Sequence, residues 1–183
     1  MALGAKKPQL GAGLLACLLA ISASHAQAAV FHVLDMGEAA EGSYANIMPE
    51  GEVQAEAGGA KSAAIDKVTL DFAHGGQATL DQTRILFDCS AKRFKVLSER
   101  LYQGLDANAP AADKPSPAGW QTFAAGSPMD AFQAFACRGP SAVRQEVAAF
   151  DRPSVWDAAG SVAGALTKIH NDEAGGTPPS PDK

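Results

Sequence analysis

The stretch from Ala64 to Gln103, AIDKVTLDFAHGGQATLDQTRILFDCSAKRFKVLSERLYQ, decides the fold. Val68, Leu70 and Phe72 alternate with Thr69 and Asp71, the two-residue period of a strand buried on one face. His74-Gly75-Gly76 breaks that run, and the alternation resumes over Thr79 to Cys89 with Ile85, Phe87 and Cys89 on one side. Ser90-Ala91-Lys92 makes a short turn, and Arg93 to Gln103 returns as a further strand. Strands separated by turns this short can pair only antiparallel.

Working outward, Gly104 to Gly119 reads as a loop punctuated by Pro110, Pro115 and Pro117, and Trp120 to Phe123 as a short strand. Ser127-Pro128-Met129-Asp130 then has the order of a helix start: N-cap Ser, Pro at the first helical position, an acid at the third. That helix carries Met129, Phe132, Phe135 and Ala136 and stops before Gly139-Pro140. At 100° per residue Cys137 falls off this stripe. The preferred reading is therefore a helix already unwinding at Cys137, the alternative a helix buried on two sides. Ser141 to Phe150 reads as helix through Val143, Val147 and Phe150. Asp151-Arg152-Pro153-Ser154 breaks and recaps the chain, and a second helix repeats Val155, Ala159, Val162, Leu166 and Ile169. Toward the N-terminus, Ala29 to Asp35 is a first strand, and residues 37–61, rich in Gly, Ala and Glu, read as a flexible loop.

Residues 1–28 have the form of an export signal. Lys6 and Lys7 precede the apolar run Leu10–Ile21, followed by the small-x-small sites Ser24-His25-Ala26 and Ala26-Gln27-Ala28. The run is shorter than the ~20 residues a membrane-spanning helix needs. Leu14-Leu15-Ala16-Cys17 resembles a lipobox, which makes Cys17 a candidate lipidation site. Leu15 is bulky for that motif, however, and the apolar run continues past Cys17, so simple cleavage is the primary expectation.

The 183 residues are 46% hydrophobic and 19% charged, which excludes a charged disordered chain. The net charge of −5 argues against a nucleic-acid partner, and loss of Lys6 and Lys7 with a signal would deepen it to −7. Of three Cys, Cys89 and Cys137 would remain after cleavage, and two Cys in an oxidising compartment suggest one disulfide.

Signs of chemistry are few. His74-Gly75-Gly76 has the look of an esterase oxyanion loop, but no G-x-S-x-G elbow accompanies it, so it reads as a hairpin turn. His32, His74 and His170 lack any metal-ligand spacing, and there is no phosphate loop or C-x-x-C pair. No catalytic residue, cofactor or metal is expected. Arg84, Lys92, Arg93, Lys95 and Arg100 concentrate positive charge on one hairpin of an acidic chain. This is either a solvated edge that discourages aggregation or a patch for an anionic partner, such as a sulfated polysaccharide or an acidic protein segment.

Taken in order, V-T-L-D-F (Val68–Phe72), I-L-F-D-C (Ile85–Cys89), F-K-V-L-S (Phe94–Ser98), Tyr102, Gly104, Trp120, G-S-P (Gly126–Pro128) and Cys137 resemble the surface-adhesin protein E family of Gram-negative bacteria. The resemblance covers roughly 75 residues, from about Ala64 to Cys137. It implies an α+β fold: an antiparallel sheet of about six strands with a helix tethered across it by a Cys89–Cys137 bridge, and dimers in some members. It also implies attachment to host matrix proteins and cells, commonly as an outer-membrane lipoprotein. Taken with the basic hairpin, the expectation is an exported, non-catalytic envelope protein that binds matrix protein or polysaccharide, in the periplasm or on the outer-membrane surface. The organisation expected is a signal over 1–28, the adhesin-like domain over 29–140, a helical extension over 141–170 and a disordered tail over 171–183. The binding residues expected are Lys92, Arg93, Lys95 and Arg100. A soluble periplasmic assembly factor using its C-terminal helix is the alternative function.

Overall fold

The computed structural model describes residues 28–40, 42–144 and 146–175. The signal and lipidation readings, Cys17 included, lie outside the described residues, as does the tail beyond Gly175. The described residues open with a long hairpin, β1 (Ala29–Ala39) and β2 (Gly42–Pro49). The flexible loop expected over 37–61 is therefore incorrect for its first half. Glycine and alanine hide the alternation there, but β2 lies between β1 and the next long strand and buries Ala45, Ile47 and Met48. Burial and ladder hydrogen bonds outweigh weak strand propensity. At the start of β2, Gly42 has φ +122°, and a Cβ there would lie 2.1 Å from the Leu70 carbonyl oxygen. Only glycine fits that approach.

A single turn of 3-10 helix (Glu50–Glu52) and the two-residue β3 (Gln54–Ala55) lead into β4 (Lys61–Asp71), β5 (Gln77–Asp88) and β6 (Arg93–Tyr102). These last three form the meander expected from the Ala64–Gln103 stretch. Short β7 (Ala111–Asp113) and β8 (Gln121–Thr122) flank the free side of β6, and helix α1 (Pro128–Arg138) follows. The segment expected to be helical after Ser141 forms β9 (Ala148–Arg152), preceded by one 3-10 turn at Pro140–Ala142. Its partner is β1, with Phe150 opposite Phe31, a pairing across more than a hundred residues that no local pattern announces. Helix α2 (Val155–Ala174) closes the described chain and reaches into the segment expected to be tail.

The sheet has nine strands rather than about six, all paired antiparallel, in the order β7-β6-β5-β4-β2-β1-β9, with β3 on β4 and β8 on β6. The strands not expected from local pattern are β2, β3, β7 and β9. Along β4 the register with β5 is unbroken, so odd and even residues face opposite sides. Ala63 and Ile65 pack with Ile85, Phe87 and Phe94 under Phe132, Phe135 and Ala136 of α1. Val68 and Leu70 pack with Phe31, Ile47 and Leu80 under Ala158, Ala159, Val162 and Leu166 of α2. The two helices therefore cover opposite faces of the sheet, toward opposite ends of β4, and among the described residues each leaves part of its own face bare.

Both helix starts follow the expected chemistry. The Asp130 amide donates to Ser127 Oγ, and Asp130 Oδ2 accepts from the Gly126 amide at 2.9 Å. Ser154 caps α2 in the same way through the Asp157 amide at 3.2 Å. Cys137 does not mark an unwinding end, because α1 continues through Arg138. Five consecutive residues, Phe132 to Ala136, are buried, so α1 is enclosed on more than one side. Cys137 bonds Cys89 with the Cα atoms 5.7 Å apart, tying the end of α1 to the turn after β5. On α2 the expected stripe holds except at Ile169, which is 42% exposed.

Candidate ligand-binding face

The tip of the β5–β6 hairpin is built around Asp88. Its Oδ1 accepts from the amides of Ser90 (3.2 Å) and Ala91 (3.0 Å) and from Ser90 Oγ (2.8 Å), while Oδ2 accepts from Arg93 Nε at 3.0 Å. These donors, the Ala91 amide foremost and the Ser90 hydroxyl next, hold the Asp88 carboxyl down to about 2. Lys92 adopts a left-handed φ of 49° to complete the turn. Gln133 on α1 donates to the Asp88 carbonyl at 3.1 Å, so the disulfide and a buried amide both fix the turn to the helix.

A β-bulge sets the direction of the basic side chains. Arg84 faces Ser98 and Gln82 faces Arg100, yet Ile85 faces Val96, which leaves Leu97 without a partner. Without that extra residue, the β6 positions on either side of it would alternate in one sequence. With it, Arg93 and Lys95 share a face with Ser98 and Arg100. That face also carries Arg84 and Leu86 and is the one α2 covers at its other end. Four of the five basic residues read from the hairpin thus lie on one bare face, and Lys92 lies at its tip.

They are not equally free. Arg93 is held by Asp88 at 3.0 Å, Arg100 lies 3.4 Å from Asp113, and Arg84 donates to Ser62 Oγ at 3.3 Å, which in turn donates to Glu56. Among the described residues Lys92 and Lys95 have no ion pair, and both are exposed. Lys114 bridges Asp81 and Glu99 on the opposite face. What the linear sequence conceals is Trp120. Thr122 pairs with Arg93, so Trp120 comes up on the same face, 42% exposed, with the Arg93 guanidinium 4.6 Å from its ring centroid. The sequence signals for it are its place in the family resemblance and in the expected Trp120–Phe123 strand, which the structure shortens to Gln121–Thr122.

The histidines go elsewhere. His74 is 75% exposed at its side chain and bonds Asp71 Oδ2 at 2.6 Å, while Asp71 also accepts from the His74 amide. This pair locks the turn between β4 and β5, and the contact with His74 lowers the Asp71 carboxyl. His170 stacks on Phe72 with centroids 3.9 Å apart. His32 is buried against Phe135, with Nδ1 2.5 Å from Glu146 and Nε2 3.5 Å from Glu50. Its two nitrogens meet different carboxylates on opposite edges of the ring, a geometry that braces β1. A cleft of about 330 Å³ beside the end of α2, lined by Glu38, Ser43, Ile169, His170 and Glu173, contains neither His74 nor any of the basic residues.

One further group escaped the sequence reading. Asp66 lies between Ile47 and Gln82, 2% exposed, with Oδ1 lacking a hydrogen-bond partner. Burial, with Glu52 and then Asp81 adding repulsion against a hydrogen bond from Gln82, pushes its carboxyl up to about 7. No family model matches this chain, and neither a curated protein nor a solved structure does.

Proposed function

We propose that this protein is an exported, non-catalytic binding module of the cell envelope, of the surface adhesin E kind, and that it holds an anionic partner on the bare face of β5 and β6. The observation that carries this reading is the bulge at Leu97, which turns Arg93 and Lys95 onto the face of Arg84 and Arg100 in a chain whose net charge is −5. Cations clustered on one side of an acidic protein steer and orient an anionic partner, although exposed charges add only modest affinity individually. The disulfide and the Asp88 turn support the reading because they hold the patch in one geometry before any partner arrives. The helix-mediated alternative has less support, since the apolar stripe of α2 is already packed on the sheet.

The direct test is retention on an immobilised polyanion at low salt, comparing the wild type with Lys92→Glu/Lys95→Glu. These two side chains have no internal ion pair among the described residues, so their reversal leaves the Asp88 turn intact. Retention should drop in the variant and fall steeply with salt in the wild type. Equal retention of the two proteins refutes the face as the site. Export is tested by the intact mass of protein from membrane and periplasmic fractions: a start near Gln27 or Ala29 supports cleavage, and an acylated start at Cys17 supports anchoring.

A further inference from the structure

The bare face carries more than charge, and this inference rests on the binding reading above. Trp120 is a large, rigid side chain left 42% exposed beside the basic residues. Arg93 lies over its ring and is itself held by Asp88, which three hydrogen bonds from the turn fix in place. The indole is therefore positioned by a chain of contacts ending at the disulfide. The same face carries Lys95, with Leu86 opposite it on β5, and Lys92 lies at the turn that ends the hairpin. Of the carboxylates along this face, Asp88 and Asp113 face Arg93 and Arg100, and Glu56 accepts from Ser62 beside Arg84.

We propose that Trp120 is the platform of a subsite for an acidic polysaccharide, a chain of sugar rings carrying sulfate or carboxylate groups. A pyranose presents an apolar C–H face that packs flat on an indole, and its anionic substituents project from the ring edge, where Lys92 and Lys95 stand. An acidic peptide satisfies the lysines but has no flat apolar face to lay on the ring. A neutral sugar satisfies the ring but leaves the cations unmatched. Trp120 lies 42% exposed beside an edge strand, a setting that suits a polymer passing over the surface and not a small enclosed ligand.

The experiment titrates the full chain with heparin, polygalacturonate, dextran and poly-L-glutamate, following binding by calorimetry and the indole by fluorescence. Trp156→Phe makes Trp120 the sole indole, since the chain has two tryptophans. Heparin or polygalacturonate should change the Trp120 emission saturably. Trp120→Ala should weaken that binding about tenfold, as expected for loss of ring stacking. Trp120→Phe, which keeps a ring, should retain most of the affinity and guards against a folding defect in the alanine variant. Poly-L-glutamate should bind more weakly and respond equally to wild type and Trp120→Ala. Undiminished heparin and polygalacturonate binding by Trp120→Ala overturns the platform while leaving the electrostatic reading intact. Poly-L-glutamate binding as tightly as the polysaccharides overturns the ligand class alone, and failure of every polyanion to bind overturns both.

Discussion

Asp66 offers a sharp test of the energetics, because its cost follows from where the fold puts it. In the unfolded chain its carboxyl titrates near 3.8, and in the folded chain near 7. Between these values the folded protein holds a proton that the unfolded chain has released. Stability therefore falls as pH rises through that window and levels off above about pH 7. The two values differ by about three pH units, and at ~1.36 kcal/mol per unit the full penalty is about 4 kcal/mol. Asp66→Asn removes the titration while keeping shape and the contact with Gln82. The assay is urea unfolding of both proteins at pH 4 to 8.5, plotted as the difference in unfolding free energy. Taking the difference cancels the other titrating groups, including Asp71 and Asp88, whose lowered carboxyls act at more acid pH. The variant should gain on the wild type steadily from pH 4 to 7, by about 2 to 4 kcal/mol, and then hold constant. A fixed offset from a poorly satisfied amide does not alter this slope. A flat difference curve would refute the reasoning: Asp66 would then be ionised in the folded state at little cost.

The remaining predictions concern the frame that holds the face. Removing the bridge as Cys89→Ala/Cys137→Ala opens a loop of 48 positions and should cost about 4 kcal/mol by the chain-entropy estimate, read as a lower urea midpoint; a change under about 1 kcal/mol contradicts a tethering role. Gly42→Ala should destabilise by about 2 kcal/mol or more, because φ is +122° and the new Cβ meets the Leu70 carbonyl oxygen; a thermal melt equal to wild type refutes the tight approach. Truncation after Phe150 should abolish cooperative unfolding, since it uncovers Phe31, Ile47, Val68 and Leu80 and removes Val162 and Leu166, each buried side chain worth about 1.5 to 3 kcal/mol. A sharp two-state transition in the truncated chain shows that the sheet stands without α2.

How far the sequence could be read depended on whether the decisive signal was local. The β4–β5–β6 meander was legible because Val68, Leu70, Ile85 and Phe87 alternate and the intervening turns are short. Both helix starts were legible because Ser127 and Ser154 satisfy backbone amides within three residues of themselves. The pairing of Cys89 with Cys137 was legible from residue count and the expected compartment, and the structure forms it. The signals for β2 and β9 were not local. Ala45 and Ile47 gain their place from β1 and β4, and Phe150 gains its place from Phe31, so a glycine-rich segment and a helix-like period both became strand.

The candidate site divides along the same line. Composition and order determined that this is an antiparallel, cysteine-framed chain with a basic hairpin, because turn chemistry, alternation and charge are properties of neighbours. Only the tertiary structure decided which cations share a face, since a single unpaired residue, Leu97, reverses the alternation along β6. It also decided that Trp120 stands beside Arg93, that Asp66 is buried with an unpartnered oxygen, and that the stripe of α2 faces the sheet. Each of these depends on register or packing between segments far apart in the chain, and free energies of that kind are not written in any one stretch of residues.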